Sequence, residues 1–213
     1  MRFTKQQANL QAAQAKIAEQ ESIIAQLRQQ IEQLTSEPLT TLKDKVGLKS
    51  TKSIDYRRLR DLLEQEKWQE ADEETLKVML EASARTSEVW LRGEDIDNLP
   101  CEDLCTINQL WLHYSDGNFG FSVQKEIYES LGGTREYDDE IWRSFGDYIG
   151  WRKEGRWLLL SELSYKRTAP KGHLPIIWRN LPESSTLTQK ILFIITRGVT
   201  QHSLFSRIQA CNL

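Results

Sequence analysis

The stretch Asp103–Gln124, DLCTINQLWLHYSDGNFGFSVQ, constrains the fold of this 213-residue chain more than any other. Leu104, Ile107, Leu110, Trp111 and Tyr114 recur at three- and four-residue steps, which places them on one face of an amphipathic helix. Pro100 sits just inside the expected start, with Asp97 or Asn98 available as the cap. Ser115-Asp116-Gly117-Asn118 then breaks the helix with four turn-forming residues. Phe119, Phe121 and Val123 follow, and Ser122 is placed to cap a second helix that runs through Leu131 and stops at Gly132-Gly133. Two apolar helices thus meet at a short elbow packed with aromatics.

The N-terminal part follows a different period. Phe3, Leu10, Ile17, Ile24 and Ile31 fall seven apart, with Gln6, Ala13, Gln20, Leu27 and Leu34 at the companion positions. Ile at the first seam position and Leu at the second favour a parallel two-stranded coil, and Lys16 and Glu21 flank the seam where they can pair across strands. Residues 1–36 are therefore expected to form a long coiled-coil helix that joins two copies of the chain. The alternative is a solitary helix lying on the domain behind it. Pro38 ends this helix, residues 37–53 read as a linker, and the globular domain occupies 54–213.

Within that domain Asp55 caps a helix bearing Tyr56, Leu59, Leu62 and Leu63. WQEADEETLKVMLEAS repeats the stripe with Leu76, Met79 and Leu80, which predicts an antiparallel helical hairpin. Glu70, Asp72, Glu73 and Glu74 read as a solvated helix start that suits the macrodipole. Past the elbow, Ile141, Trp142, Phe145, Tyr148 and Ile149 mark another helix, capped by Asp138 or Asp139 and stopped by Gly150. A tight turn then links Trp151 to Trp157. Residues 166–190 form a long loop rich in Pro, Gly and Ser, and loops of that length are usually functional. A terminal helical element spans Ile191 to Cys211. The domain is predicted to be all-α.

Bulk properties remove several classes. A net charge of −3 gives no electrostatic drive toward nucleic acid. The longest apolar run, Ile191 to Ile195, is too short to span a bilayer. No signal or transit peptide is legible, so the protein is expected to stay where it is made. Cys101, Cys105 and Cys211 read as reduced thiols of a cytoplasmic protein, without a metal site. No phosphate-binding loop, zinc motif or nucleophile elbow is present, and the three histidines are scattered, so the reading is binding rather than catalysis. Aromatic and aliphatic residues concentrate at the elbow (Trp111, Phe119, Phe121) and around the loop (Trp151, Trp157, Ile176, Ile177, Trp178), beside Lys166, Arg167, Lys171 and Arg179. That mixture suits a flat apolar ligand bearing carboxylates. The competing assignment is that these rings form the core.

IDYRRLRDLLEQEKWQEADEET, DLCTINQLW, NFGFSVQ, FGDYIGW and APKGHLP, in this order, resemble the genomes-uncoupled-four family of tetrapyrrole-binding proteins. The resemblance covers residues 54–178, with a weaker echo in SLFSRIQACNL. It implies a cupped-hand helical domain that binds protoporphyrin IX or Mg-protoporphyrin IX as ligand, with no catalytic metal. It also implies stimulation of magnesium chelatase, through that enzyme's large porphyrin-binding subunit, at the entry to chlorophyll synthesis. Carried over, Asn118–Gln124, with Val123 and Gln124, forms part of the palm, and Gly172, His173, Leu174 and Pro175 with Ile176 and Trp178 form the flexible fingers over the ligand. Arg167, Lys171 and Arg179 become candidates for the propionates. His173 stands either as an axial ligand or as a residue that fixes the loop by hydrogen bonding, and its place in a turn favours the second. The coiled coil and the sequence after GHLP depart from well-known members, which implies a paralogue of the same fold, and the absence of a legible transit peptide favours a cyanobacterial protein, cytoplasmic with peripheral association to thylakoid membranes. The rival function is a coiled-coil scaffold or signalling module whose helical domain docks proteins or senses a bilin or haem.

Overall fold

The computed structural model describes residues 2–35, 46–88, 90–134, 136–177 and 201–213. The chain divides into two units, Met1–Lys45 and Val46–Leu213. The first consists of helix α1, Arg2–Thr35. An uninterrupted helix is what a Pro-free, Gln- and Ala-rich segment favours. Ile17, Ile23, Ile24 and Leu27 remain about half exposed, at 54%, 50%, 48% and 51%. Pairing with a second copy is not something the single chain displays. No helix among the described residues is long and apolar enough to cross a membrane.

The second unit is built from helices, with one short hairpin of strands. Helices α2 (Arg57–Glu64) and α3 (Trp68–Ala82) pack on each other and on α5 (Cys101–Tyr114), burying Leu59, Leu63, Leu76 and Met79. Asp55 takes the first helical N–H of α2, from Arg57 at 3.0 Å. A short helix, α4 (Gly93–Asp97), lies where the sequence offered only a capping signal. α5 therefore begins directly after Pro100, and Asp97 and Asn98 belong to the end of α4 instead of capping α5.

The elbow forms as expected, with α6 at Phe121–Ser130, but its cap is different. Gly120 enters the helix at φ 139°, which only glycine adopts readily. The Ser122 N–H donates to Asn108 Oδ1 of α5 at 3.0 Å, so the preceding helix supplies the cap and Ser122 does not. α7 (Asp139–Tyr148) is capped by Asp138, which accepts from Glu140 N and Ile141 N. It ends before Gly150, at φ 76°. Strands β1 (Arg152–Lys153) and β2 (Arg156–Trp157) pair antiparallel through a two-residue turn, Glu154-Gly155, both residues at positive φ. A last helix, α8, covers 201–210 and buries Leu204, Phe205 and Ile208.

Three sequence expectations need correction here. Cys101 and Cys211 are joined in a disulfide, Cα–Cα 5.2 Å, and Cys105 alone keeps a free thiol. Asp72 and Glu74 are not solvated: both are buried, and Glu74 is held by Arg58 at 3.0 Å and Lys77 at 3.1 Å. Residues 46–53, expected as the end of a linker, are bonded to the domain. Asp103, 0% exposed, accepts from Tyr56 Oη (2.9 Å), Thr51 N (3.1 Å) and Ser50 Oγ, and Thr106 donates to Lys49 O at 2.7 Å. A buried carboxylate with three donors anchors this segment, because a charge taken from water must be fully hydrogen-bonded. Asp103→Ala strands three donors and should lower unfolding stability by about 2–4 kcal/mol, read as a reduced urea midpoint at unchanged slope.

Candidate functional site: the strap over the helical core

Residues 169–177, expected as flexible fingers, instead cross the helical core as an irregular strap held by backbone and side-chain hydrogen bonds. The Gly172 N–H donates to Asn118 O (2.8 Å), and the Gly120 N–H donates to Leu174 O (3.0 Å), so strap and elbow hold each other through their backbones. Gln124 Nε2 donates to both Gly172 O (2.9 Å) and Pro175 O (2.8 Å), while its Oε1 accepts from Gln201 Nε2 of α8 (2.9 Å). Trp151 Nε1 donates to His173 O at 2.8 Å. The Ile176 N–H donates to the Asp72 carboxylate, reaching back to α3. Asn118 also donates to Ala169 O at 3.3 Å. Gly172 sits at φ 77°, a backbone conformation that L side chains rarely adopt, and a Cβ there would press on Ile127 Cδ1 at 2.8 Å.

His173 is fixed at both nitrogens. Nδ1 meets Ile149 O at 2.6 Å, and Nε2 lies 3.2 Å from the Ser164 N–H. The carbonyl must receive a proton and the amide must give one, so Nδ1 carries the hydrogen and Nε2 accepts. Burial pushes the His173 pKa down from 6.5, against the opposing pull of the Ile149 carbonyl. The ring therefore fixes the loop and has no nitrogen left for a metal.

The aromatic residues proposed from sequence as ligand contacts occupy the interior. Trp111, Phe119, Phe121 and Trp151 are each 0% exposed, as are Gln124, Leu174 and Ile176, and Val123 and Pro175 are also buried. Trp68, Trp111 and Phe119 form one ring cluster, with centroids 5.4–6.3 Å apart. Tyr128, Trp142, Phe145, Trp151, Trp157 and Phe205 form another. Packed edge-to-face and stacked, these rings fill the core, and the fully buried ones present no free face to a macrocycle. Of the cations, Arg167 is committed to Glu66 (2.8 Å) and Asp116, which pins the start of the strap to the elbow. Lys171 is half exposed, with Glu126 3.8 Å away. Trp178 and Arg179 lie outside the described residues.

Sequence reasoning missed Asp72, Asn118 and Gln201 as strap holders. Asp72 stood in a quoted motif, but an acid in the first turns of a helix reads as solvated. No group of three or more His, Cys, Asp or Glu among the described residues is arranged to hold a metal.

This architecture defines a class: a small all-helical domain that carries an irregular strap rigidly bonded over its core. A GUN4-like family model matches residues 49–192, and the chain belongs to that family. It is 38% identical over 136 residues to the uncharacterized protein ycf53 of Porphyra purpurea, covering 62% of this chain and 53% of that protein. It is 30% identical over 129 residues to the chloroplastic tetrapyrrole-binding protein of Arabidopsis thaliana, covering 55% and 46% respectively. The chain thus spans about half the length of the curated relatives it matches. The solved structure of GUN4 from Chlamydomonas reinhardtii superposes with a TM-score of 0.56 at 29% identity, covering 79% of this chain and 96% of that one. The all-α expectation and the family resemblance both hold.

The histidine gives a pH signature. With its folded pKa below 6.5, His173 in the fold takes up a proton only at lower pH than the unfolded chain does. Stability must therefore fall as pH drops below 6.5, by up to about 1.4 kcal/mol per pH unit from this group. Urea unfolding of His173→Gln from pH 8 to 5 should show lower stability at pH 8 and a flatter decline than the parent.

Proposed function

We propose that this protein binds a porphyrin, protoporphyrin IX or Mg-protoporphyrin IX, and without catalysing a reaction stimulates magnesium chelatase through that enzyme's large porphyrin-binding subunit in chlorophyll biosynthesis. The observation that carries this reading is the family match over residues 49–192, a span that contains both the elbow and the strap. The name of the Arabidopsis relative supports a tetrapyrrole as the ligand class. The rigid strap supports it physically: a surface fixed in advance by buried hydrogen bonds loses little further entropy when a ligand docks. In this proposal Lys171 takes a propionate, being exposed and only loosely opposed by Glu126. Trp178 and Arg179, which follow the strap in sequence, complete the contact set. The buried rings support the strap from beneath. The protein is proposed to work in the cytoplasm, with peripheral association to thylakoid membranes.

Seven tryptophans make the test direct. Titration with protoporphyrin IX should quench their fluorescence saturably in the micromolar range. Lys171→Glu should weaken binding about tenfold, the worth of one charge-assisted bond. An absence of saturable quenching overturns the proposal.

The same reading assigns α1 a second copy of the chain as its partner. Ile17, Ile24 and Leu27 are about half exposed along the seven-residue seam, and Lys16 and Glu21 are placed to pair between parallel strands. Equilibrium sedimentation should give twice the 24.8 kDa chain mass, and deletion of residues 1–36 should halve it. A monomeric full-length chain removes the dimer.

A further inference from the structure

We propose that the Cys101–Cys211 disulfide is a redox modification site, a substrate for dithiol reductants, and that its state sets how firmly α8 grips the strap. This goes beyond the tetrapyrrole reading and uses no ligand.

The sequence holds three cysteines, two of them bonded to each other across 110 positions. Cys101 opens α5, and Cys211 follows α8 two residues before the last position of the chain. Both are half-buried, so an attacking thiolate has a route to the sulfurs. Cys105, also half-buried, lies one turn along α5 from Cys101. The step balances simply. A dithiol donor gives two electrons and two protons, the Sγ–Sγ bond breaks, Cys101 and Cys211 become thiols, and the donor leaves as its own disulfide. In a reducing compartment dithiol proteins of this kind are abundant, and structural disulfides are rare there.

What the bond holds gives the modification its consequence. α8 is reached along the chain only through residues 178–200, so the disulfide closes a loop of more than a hundred residues and strongly restricts the unlatched ensemble. Among the described residues the other anchors of α8 are noncovalent, and they include Leu204, Phe205 and Ile208 in the core, Arg207 Nε donating to Leu99 O at 2.8 Å, His202 Nε2 lying 3.2 Å from Thr134 O, and Gln201 donating to Gln124 Oε1 at 2.9 Å. The last of these reaches the strap, because the same Gln124 carboxamide binds Gly172 O and Pro175 O. Reduction leaves the apolar anchors in place, so α8 loosens without unfolding the domain. A loosened α8 withdraws Gln201, and the carboxamide that orders the strap loses its own support.

The test uses the full chain purified in air. Alkylation followed by mass measurement should label one cysteine before dithiothreitol and three after it. Hydrogen exchange in peptides covering 169–177 and 201–210 should accelerate on the order of tenfold on reduction. The double variant Cys101→Ser/Cys211→Ser should exchange like the reduced protein and ignore dithiothreitol. Gln201→Ala in the oxidised protein should raise exchange in the strap and abolish its response to reductant, while 201–210 still responds. Three labelled cysteines before reduction overturn the proposal. So does exchange that ignores reductant in both peptides, and a response confined to 201–210 overturns the coupling to the strap.

Discussion

The carboxamide of Gln124 is the junction through which the rest of the domain is held. It is fully buried, donates to two carbonyls of the strap, and accepts one N–H from α8. Two donors and one acceptor on a single planar group is what an amide offers and a carboxylate does not. A glutamate at this position would aim a second oxygen at Gly172 O and Pro175 O and leave both without a proton. The position of Gln124 depends in turn on the start of α6, one turn earlier. There Asn108 caps the helix from α5, and Gly120 supplies a backbone conformation closed to other residues. Elbow, strap and terminal helix are consequently one unit.

A second layer explains why the strap is rigid although it has no regular secondary structure. Its polar groups are matched by groups sent up from the elements beneath: the Asp72 carboxylate of α3, the Trp151 indole N–H, and the backbone of Asn118 and Gly120 in the elbow. The large rings meet the same requirement, since Trp111 spends its N–H on Thr75 at 2.9 Å. Giving the indole N–H groups of Trp111 and Trp151 buried acceptors, Thr75 Oγ1 and His173 O, is what lets these two large rings lie fully inside. It also explains the placement of His173, whose neutral ring is one more bolt in the frame and not a ligand in waiting.

The family match gives this frame its functional setting, because both halves of the clamp lie within the matched residues. α1 lies outside them, and its half-exposed apolar side chains form an independent feature of the chain. The disulfide adds a covalent element that a cytoplasmic reading of three thiols did not anticipate. Cys101 could not be paired from spacing alone. Cys105, four residues away, and Cys211 at the far end of the chain are equally plausible on paper, and only the docking of α8 beside the start of α5 separates them.

The helices of the domain other than the short α4 were legible because apolar side chains repeat at the helical period and because Asp138, Pro100, Gly132 and Gly150 punctuate them. The elbow, the long N-terminal helix and the family were legible for similar reasons, since each is written in residues close together along the chain. The site was not. An aromatic at helical spacing carries the same signal whether it packs a core or lines a cleft, and burial is decided by what packs against it. Likewise an acid in a helix's first turns reads as solvated until a distant backbone N–H, here that of Ile176, arrives over it. Local order was therefore set by the sequence alone. Which side chains face inward, which cysteines meet, and what holds the strap were settled only by contacts between residues tens to a hundred positions apart.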